Sequence, residues 1–85
     1  MKKKVQRKSE IRKYYLSEFQ LYDGEAFVTF NIVAIDTSKN EITVAISNRG
    51  RISVITYDLL TDSNGYLYFE YGVDYEKIRI NDFEV

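Results

Sequence analysis

From about Glu25 onward the chain alternates apolar and polar residues with a period of two, the pattern of half-buried β-strands. Val28, Phe30, Ile32 and Ala34 take every second position, with Thr29 and Asn31 between them. The turn-forming run Thr37-Ser38-Lys39-Asn40 follows, and then Ile42, Val44 and Ile46 alternate with Thr43, Ala45 and Ser47. Asn48-Arg49-Gly50-Arg51 reads as a tight hairpin, because Gly50 takes positive φ without steric cost. The next strand, Ile52 to Leu59, starts with Ile52 and Val54 on one face and continues with Ile55, Tyr57 and Leu59 on the other. That switch predicts a bulge, a bend or burial on both sides. Asp62-Ser63-Asn64-Gly65 is a further turn, and Tyr66–Tyr71 and Lys77–Glu84 complete a five-stranded series. Strands and turns at this spacing predict a mainly β protein, with α+β as the variant: a five-stranded antiparallel meander closed into a small barrel or curled sheet.

The N-terminal twenty residues fit two periods. Ile11, Tyr15, Phe19 and Tyr22 share one helical face, and Ser9-Glu10 suits a helix start, so a helix from about Ser9 to Leu21 is the preferred expectation. The competing reading makes Tyr14–Tyr22 a strand, because Asp23-Gly24 is a hairpin signal leading into the first clear strand. Met1–Lys8 is expected to be a flexible basic arm, since only Val5 has apolar surface to bury, with residues 9–85 forming one small β-rich domain.

Composition narrows the chemistry. The chain has 85 residues, is 45% hydrophobic and 15% aromatic, and contains neither cysteine nor histidine. Disulfides, thiolate nucleophiles and cysteine zinc sites are thereby excluded, as are the commonest general base and transition-metal ligand. No spacing matches a nucleophile elbow, a phosphate loop or a zinc signature, so no catalytic residue, metal or cofactor is expected. The apolar runs are too short to span a membrane and the basic start lacks a signal peptide's apolar segment, which leads to the expectation of a cytoplasmic protein without a membrane partner.

Charge is sorted along the chain although the net is only −1. Residues 1–13 hold seven of the twelve bases, Lys2, Lys3, Lys4, Arg7, Lys8, Arg12 and Lys13, against the single acid Glu10. The remainder is acidic, most densely after Tyr57, where Asp58, Asp62, Glu70, Asp74, Glu76, Asp82 and Glu84 face only Lys77 and Arg79. In a strand over Tyr66–Tyr71, Leu67, Phe69 and Tyr71 point one way and Tyr66, Tyr68 and Glu70 the other. With the first set in the core, the second is an outer face of tyrosines and a carboxylate, extended by Asp74, Tyr75 and Glu76. Rigid amphipathic rings beside carboxylates are the composition of a surface that docks on a basic protein cleft. The ordinary alternative is cross-strand aromatic pairing with solvated acids between.

The basic residues support a different class of function, a small-barrel nucleic-acid binder that uses Lys2, Lys3, Lys4, Arg7, Lys8, Arg12 and Lys13 together with Arg49 and Arg51 on a hairpin tip. The ordinary reading there is a solubilising tail and a charged turn. A structural role, with an open strand edge pairing two copies into a homodimer, is the third expectation.

In its general manner the chain resembles the small accessory proteins of phages and mobile elements of low-GC Gram-positive bacteria. It has a lysine-rich start, no Cys, His, Pro or Trp, and closing segments Tyr66-Leu67-Tyr68-Phe69-Glu70-Tyr71-Gly72 and Ile78-Arg79-Ile80-Asn81-Asp82-Phe83. That resemblance is one of style over the whole length and transfers no residue role. It implies a non-enzymatic inhibitor of a host nucleic-acid enzyme, of the anti-CRISPR or anti-restriction type.

Overall fold

The computed structural model describes residues 12–84. The arm expected over Met1–Lys8 and the expected helix start at Ser9 lie outside those residues. Two antiparallel sheets enclose one core, where the sequence predicted a single five-stranded meander. The first sheet is a four-stranded meander of β1 (Glu18–Tyr22), β2 (Phe27–Asp36), β3 (Glu41–Asn48) and β4 (Arg51–Asp58). The second contains β5 (Leu60–Thr61), β6 (Leu67–Tyr71) and β7 (Glu76–Arg79). The inward residues of the first sheet, Val28, Phe30, Ile32, Ile42, Val44 and Ile46, meet Leu67, Phe69 and Ile78 of the second, and the Phe30 and Phe69 rings meet edge to face at 6.1 Å.

The helix expected over Ser9–Leu21 does not form within the described residues. A single 3-10 turn covers Arg12–Tyr14, Leu16 takes a left-handed φ of 65°, and β1 starts at Glu18. Long-range pairing decides the competition. Phe19 and Leu21 stand inward opposite Phe30 and Val28, while Glu18, Gln20 and Tyr22 face out. The entry is held by Leu16 N–H donating to Ile32 O at 2.7 Å and by buried Ser17, whose hydroxyl donates to Tyr14 O. Asp23 closes the β1–β2 turn by accepting the backbone N–H groups of Glu25 and Ala26, each at 3.0 Å. These hydrogen bonds, Ala26 foremost, hold its carboxyl below the usual range, and Arg49 assists.

The irregularity expected in the Ile52–Leu59 strand takes another form. β4 runs unbroken to Asp58 and the chain then bends into the second sheet, burying Leu59. The bulge lies instead in β2, between Ile32 and Ala34, and leaves Val33 without a partner on β3. The strand expected over Lys77–Glu84 is also cut short. β7 ends at Arg79, a 3-10 turn spans Ile80–Asp82, and Phe83 drops into the core 5.5 Å from Phe19. Beyond it Glu84 and Glu18 exchange backbone hydrogen bonds of 2.8 and 3.1 Å, so the last described residue bridges the start of β1 on its outer edge.

Candidate functional site

Alternation in β6 follows the sequence expectation, with Leu67 and Phe69 buried, Tyr68 half-buried and Glu70 exposed. The register with β7 sets Tyr68 opposite Arg79 and Glu70 opposite Lys77, so two bases stand on the outer face that carries Tyr68 and Glu70. The Lys77 ammonium lies 4.6 Å from the centre of the Tyr68 ring, and the Arg79 guanidinium lies 5.8 Å from that of Tyr66. Both bases also reach Asp62, with Nζ of Lys77 at 3.2 Å and Nε of Arg79 at 3.4 Å from Oδ2. The other oxygen, Oδ1, accepts the backbone N–H groups of Asn64 and Tyr66, each at 2.9 Å. The Tyr66 hydrogen bond, with Lys77 and Asn64 after it, holds the Asp62 carboxyl below its ordinary range. Tyr66, Tyr68 and Glu70 therefore sit in a charge-balanced face, braced by the Asp62 side chain, which is only 7% exposed.

Asp74, Tyr75 and Glu76 stand apart from that face, in the four-residue turn after β6 and at the start of β7. Gly72 and Tyr75 both have positive φ, 78° and 54°, a geometry that projects the Tyr75 ring into solvent beside exposed Asp74 and Glu76. The structure thus divides the expected tyrosine and carboxylate set between a neutralised sheet face and an acidic tip.

A second acidic feature was not anticipated. Glu18, Phe19 and Gln20 of β1 together with Asp82 and Glu84 line a groove of about 490 Å³. The Glu18–Glu84 bridge and the buried Phe83 ring fix its walls, and its three carboxylates have no ion pair among the described residues. Only the alternation of Ile78, Ile80 with Arg79 and Asn81 hinted that the C-terminal segment docks. Nothing local showed that it meets β1.

Of the proposed nucleic-acid residues, Lys2, Lys3, Lys4, Arg7 and Lys8 fall outside the described residues. Arg12 starts the 3-10 turn, and Lys13 is exposed with its Nζ 5.4 Å from the centre of the Tyr14 ring. Arg49 and Arg51 share the β3–β4 hairpin, but Arg49 is engaged by Glu25 and, at 3.7 Å, by Asp23, so of that pair only Arg51 has no ion pair among the described residues. No group of three or more acidic side chains among the described residues is arranged to hold a metal, and no described helix is long and apolar enough to cross a membrane. Comparison with known protein families, with characterised proteins and with solved structures finds no match to this chain.

Proposed function

We propose that this protein is a non-enzymatic binding protein that blocks a nucleic-acid-acting host enzyme, in the manner of phage and mobile-element inhibitors of the anti-CRISPR or anti-restriction type. The observation that carries this reading is the uneven use of charge in the folded body. Arg49, Lys77 and Arg79 are tied to Asp23, Glu25 and Asp62, while Glu18, Asp82 and Glu84 in the groove and Asp74 and Glu76 at the tip keep no ion pair among the described residues. A surface of uncompensated carboxylates attracts the same basic channels that hold phosphate backbones, and repels nucleic acid itself. Tyr75, rigid and 71% exposed, supplies contact area at the tip, and Asp74 and Glu76 supply orientation and association rate. Tyr66 and Tyr68, engaged by Arg79 and Lys77, and Glu70 beside them support the tip as a platform.

The test is to measure binding of the full chain to purified nucleic-acid enzymes of its host, with duplex DNA as competitor. Binding that weakens with salt, is displaced by DNA and falls at least tenfold in the combined Asp74→Lys, Tyr75→Ala, Glu76→Lys variant supports the tip. The same loss in a Glu18→Lys, Glu84→Lys variant instead assigns the contact to the groove. Failure of every enzyme to bind, together with a direct gel shift of nucleic acid by the protein alone, overturns the reading in favour of the basic residues.

A further inference from the structure

The two long edges of the four-stranded sheet are treated differently. The β1 edge is bridged at Glu18 by Glu84, whereas no described residue pairs with the outer edge of β4. β4 is also the least protected strand by composition. Between Arg51 and Asp58 its six residues, Ile52 to Tyr57, carry no charge, no proline and no glycine. Ile52 is 71% and Val54 64% exposed on the outer face, and Ile55 is 39% exposed on the opposite one. On that inner side Ile55, Ser53 and Arg51 border a groove of about 240 Å³ with Tyr71 and Asn48, and the Asn48 Oδ1 atom is buried without a hydrogen-bond partner. Folded proteins ordinarily blunt such an edge with charge, proline or a bulge. Here the bulge lies in β2, away from it.

Which backbone groups are unmet follows from the hairpin. Asn48 pairs with Arg51 across the turn Arg49-Gly50, whose φ values of 52° and 81° are those of a type I′ turn. The closing pair of such a turn is hydrogen-bonded, and bonded pairs recur at every second residue, so Arg51, Ser53, Ile55 and Tyr57 bond inward to β3. Ile52, Val54, Thr56 and Asp58 point their N–H and C=O groups at the open edge.

We propose that this edge joins a second copy of the chain, with β4 antiparallel to β4 about a two-fold axis at Val54. A partner strand must be apolar on both faces, as β4 itself is, and an isologous contact meets that need with one sequence. Charge selects the direction. The antiparallel arrangement brings the end of one copy that carries Arg51 to the end of the other that carries Asp58, with Arg51 on the inner face beside Ser53 and Ile55 and Asp58 on the outer face beside Ile52 and Val54, so the two ends attract without forming a direct pair. Side-chain chemistry selects the register. Outward-bonding residues must pair with outward-bonding residues, and centring on Val54 sets Ile52 opposite Thr56 of the second copy and Arg51 opposite its Tyr57. Centring on Ile55 would face Ile52 with Asp58 instead.

The proposal is independent of the partner assigned above. It is tested by sedimentation of the full chain at roughly 10–100 μM, where a single strand-pair contact of micromolar affinity is populated. A concentration-dependent dimer is expected, with Val54→Lys raising its Kd at least tenfold while circular dichroism stays unchanged. Because the chain has no cysteine, Val54→Cys also gives a unique thiol that a short bis-maleimide bridges between copies, whereas Val73→Cys, on the 92% exposed turn residue, stays unbridged. A wild-type monomer throughout that range, or a dimer indifferent to Val54→Lys, overturns the proposal.

Discussion

At the turn between β5 and β6, one oxygen of Asp62 accepts two backbone N–H groups while the other faces Lys77 and Arg79. The same economy recurs at Asp23 and at Asp36, whose Oδ1 takes the Ser38 hydroxyl at 2.6 Å and the backbone N–H groups of Ser38 and Lys39, so that its carboxyl too is held below the ordinary range, by the Ser38 hydroxyl first. A carboxyl depressed in the folded state adds stability that is complete above its unfolded pKa of roughly 4 and drains away as pH falls below it. Asp62→Asn is therefore expected to lower the Tm at neutral pH, since the amide keeps an acceptor for the backbone but gives up the charge that Lys77 and Arg79 use. The gap from wild type should narrow in thermal melts as pH falls from about 4 through the depressed pKa of the folded carboxyl. A gap of constant size across that range would show that charge has no part in it. Asp23 and Asp62 were legible in the sequence as the leading residues of Asp23-Gly24 and Asp62-Ser63-Asn64-Gly65, whereas Asp36 stands before the run Thr37-Ser38-Lys39-Asn40 that was read as the turn. What Asp62 does to Lys77 and Arg79 was not legible, since it depends on a register set by distant pairing.

Strands β2, β3 and β4 follow directly from the period-two pattern, and their turns from the residues between them. β1 was ambiguous because Tyr15, Phe19 and Tyr22 suit a helical face as well as Phe19 and Leu21 suit a strand. Only the pairing of Phe19 with Phe30 and Leu21 with Val28 separates the two. The C-terminal segment was read as one strand because alternation continues through Ile78 and Ile80, although the backbone turns at Ile80 to bring Phe83 under Phe19. Pairing also sets Asp36, Glu41 and Asp58 side by side across β2, β3 and β4, an arrangement of like charges that opposes the sheet. Glu41→Lys places a base between two carboxylates and is expected to stabilise the domain by about 0.2–1 kcal/mol in denaturant unfolding. The gain should shrink in high salt. A loss of stability would mean that Glu41 has a role which cross-strand repulsion does not describe.

For the whole molecule, the sequence separates a basic segment from an acidic remainder, and the fold adds a distribution that linear order does not contain. The final third was expected to present one acidic tyrosine face. Folding returns Lys77 and Arg79 to that face and moves the uncompensated charge to the 74–76 tip and to a groove whose walls come from both ends of the described chain. A groove of that kind is invisible to any local window of sequence. Replacing Lys2, Lys3, Lys4, Arg7 and Lys8 by Gln separates the two functional classes. Retained binding to a basic enzyme, with loss of any salt-dependent gel shift, is the outcome expected of an acidic docking protein. Loss of enzyme binding in that variant would mean that the arm makes the contact.

The hydrogen bonds between Glu18 and Glu84 carry a consequence for synthesis. β1 waits for Phe83 and Glu84, made long after it, before Glu18 gains its outer hydrogen bonds and Phe19 its cover. The nascent chain can assemble β2, β3 and β4 early through short hairpins, but that intermediate holds both flanks of its sheet open. Crowding between neighbouring nascent chains is therefore most hazardous in the interval before Phe83 and Glu84 are made.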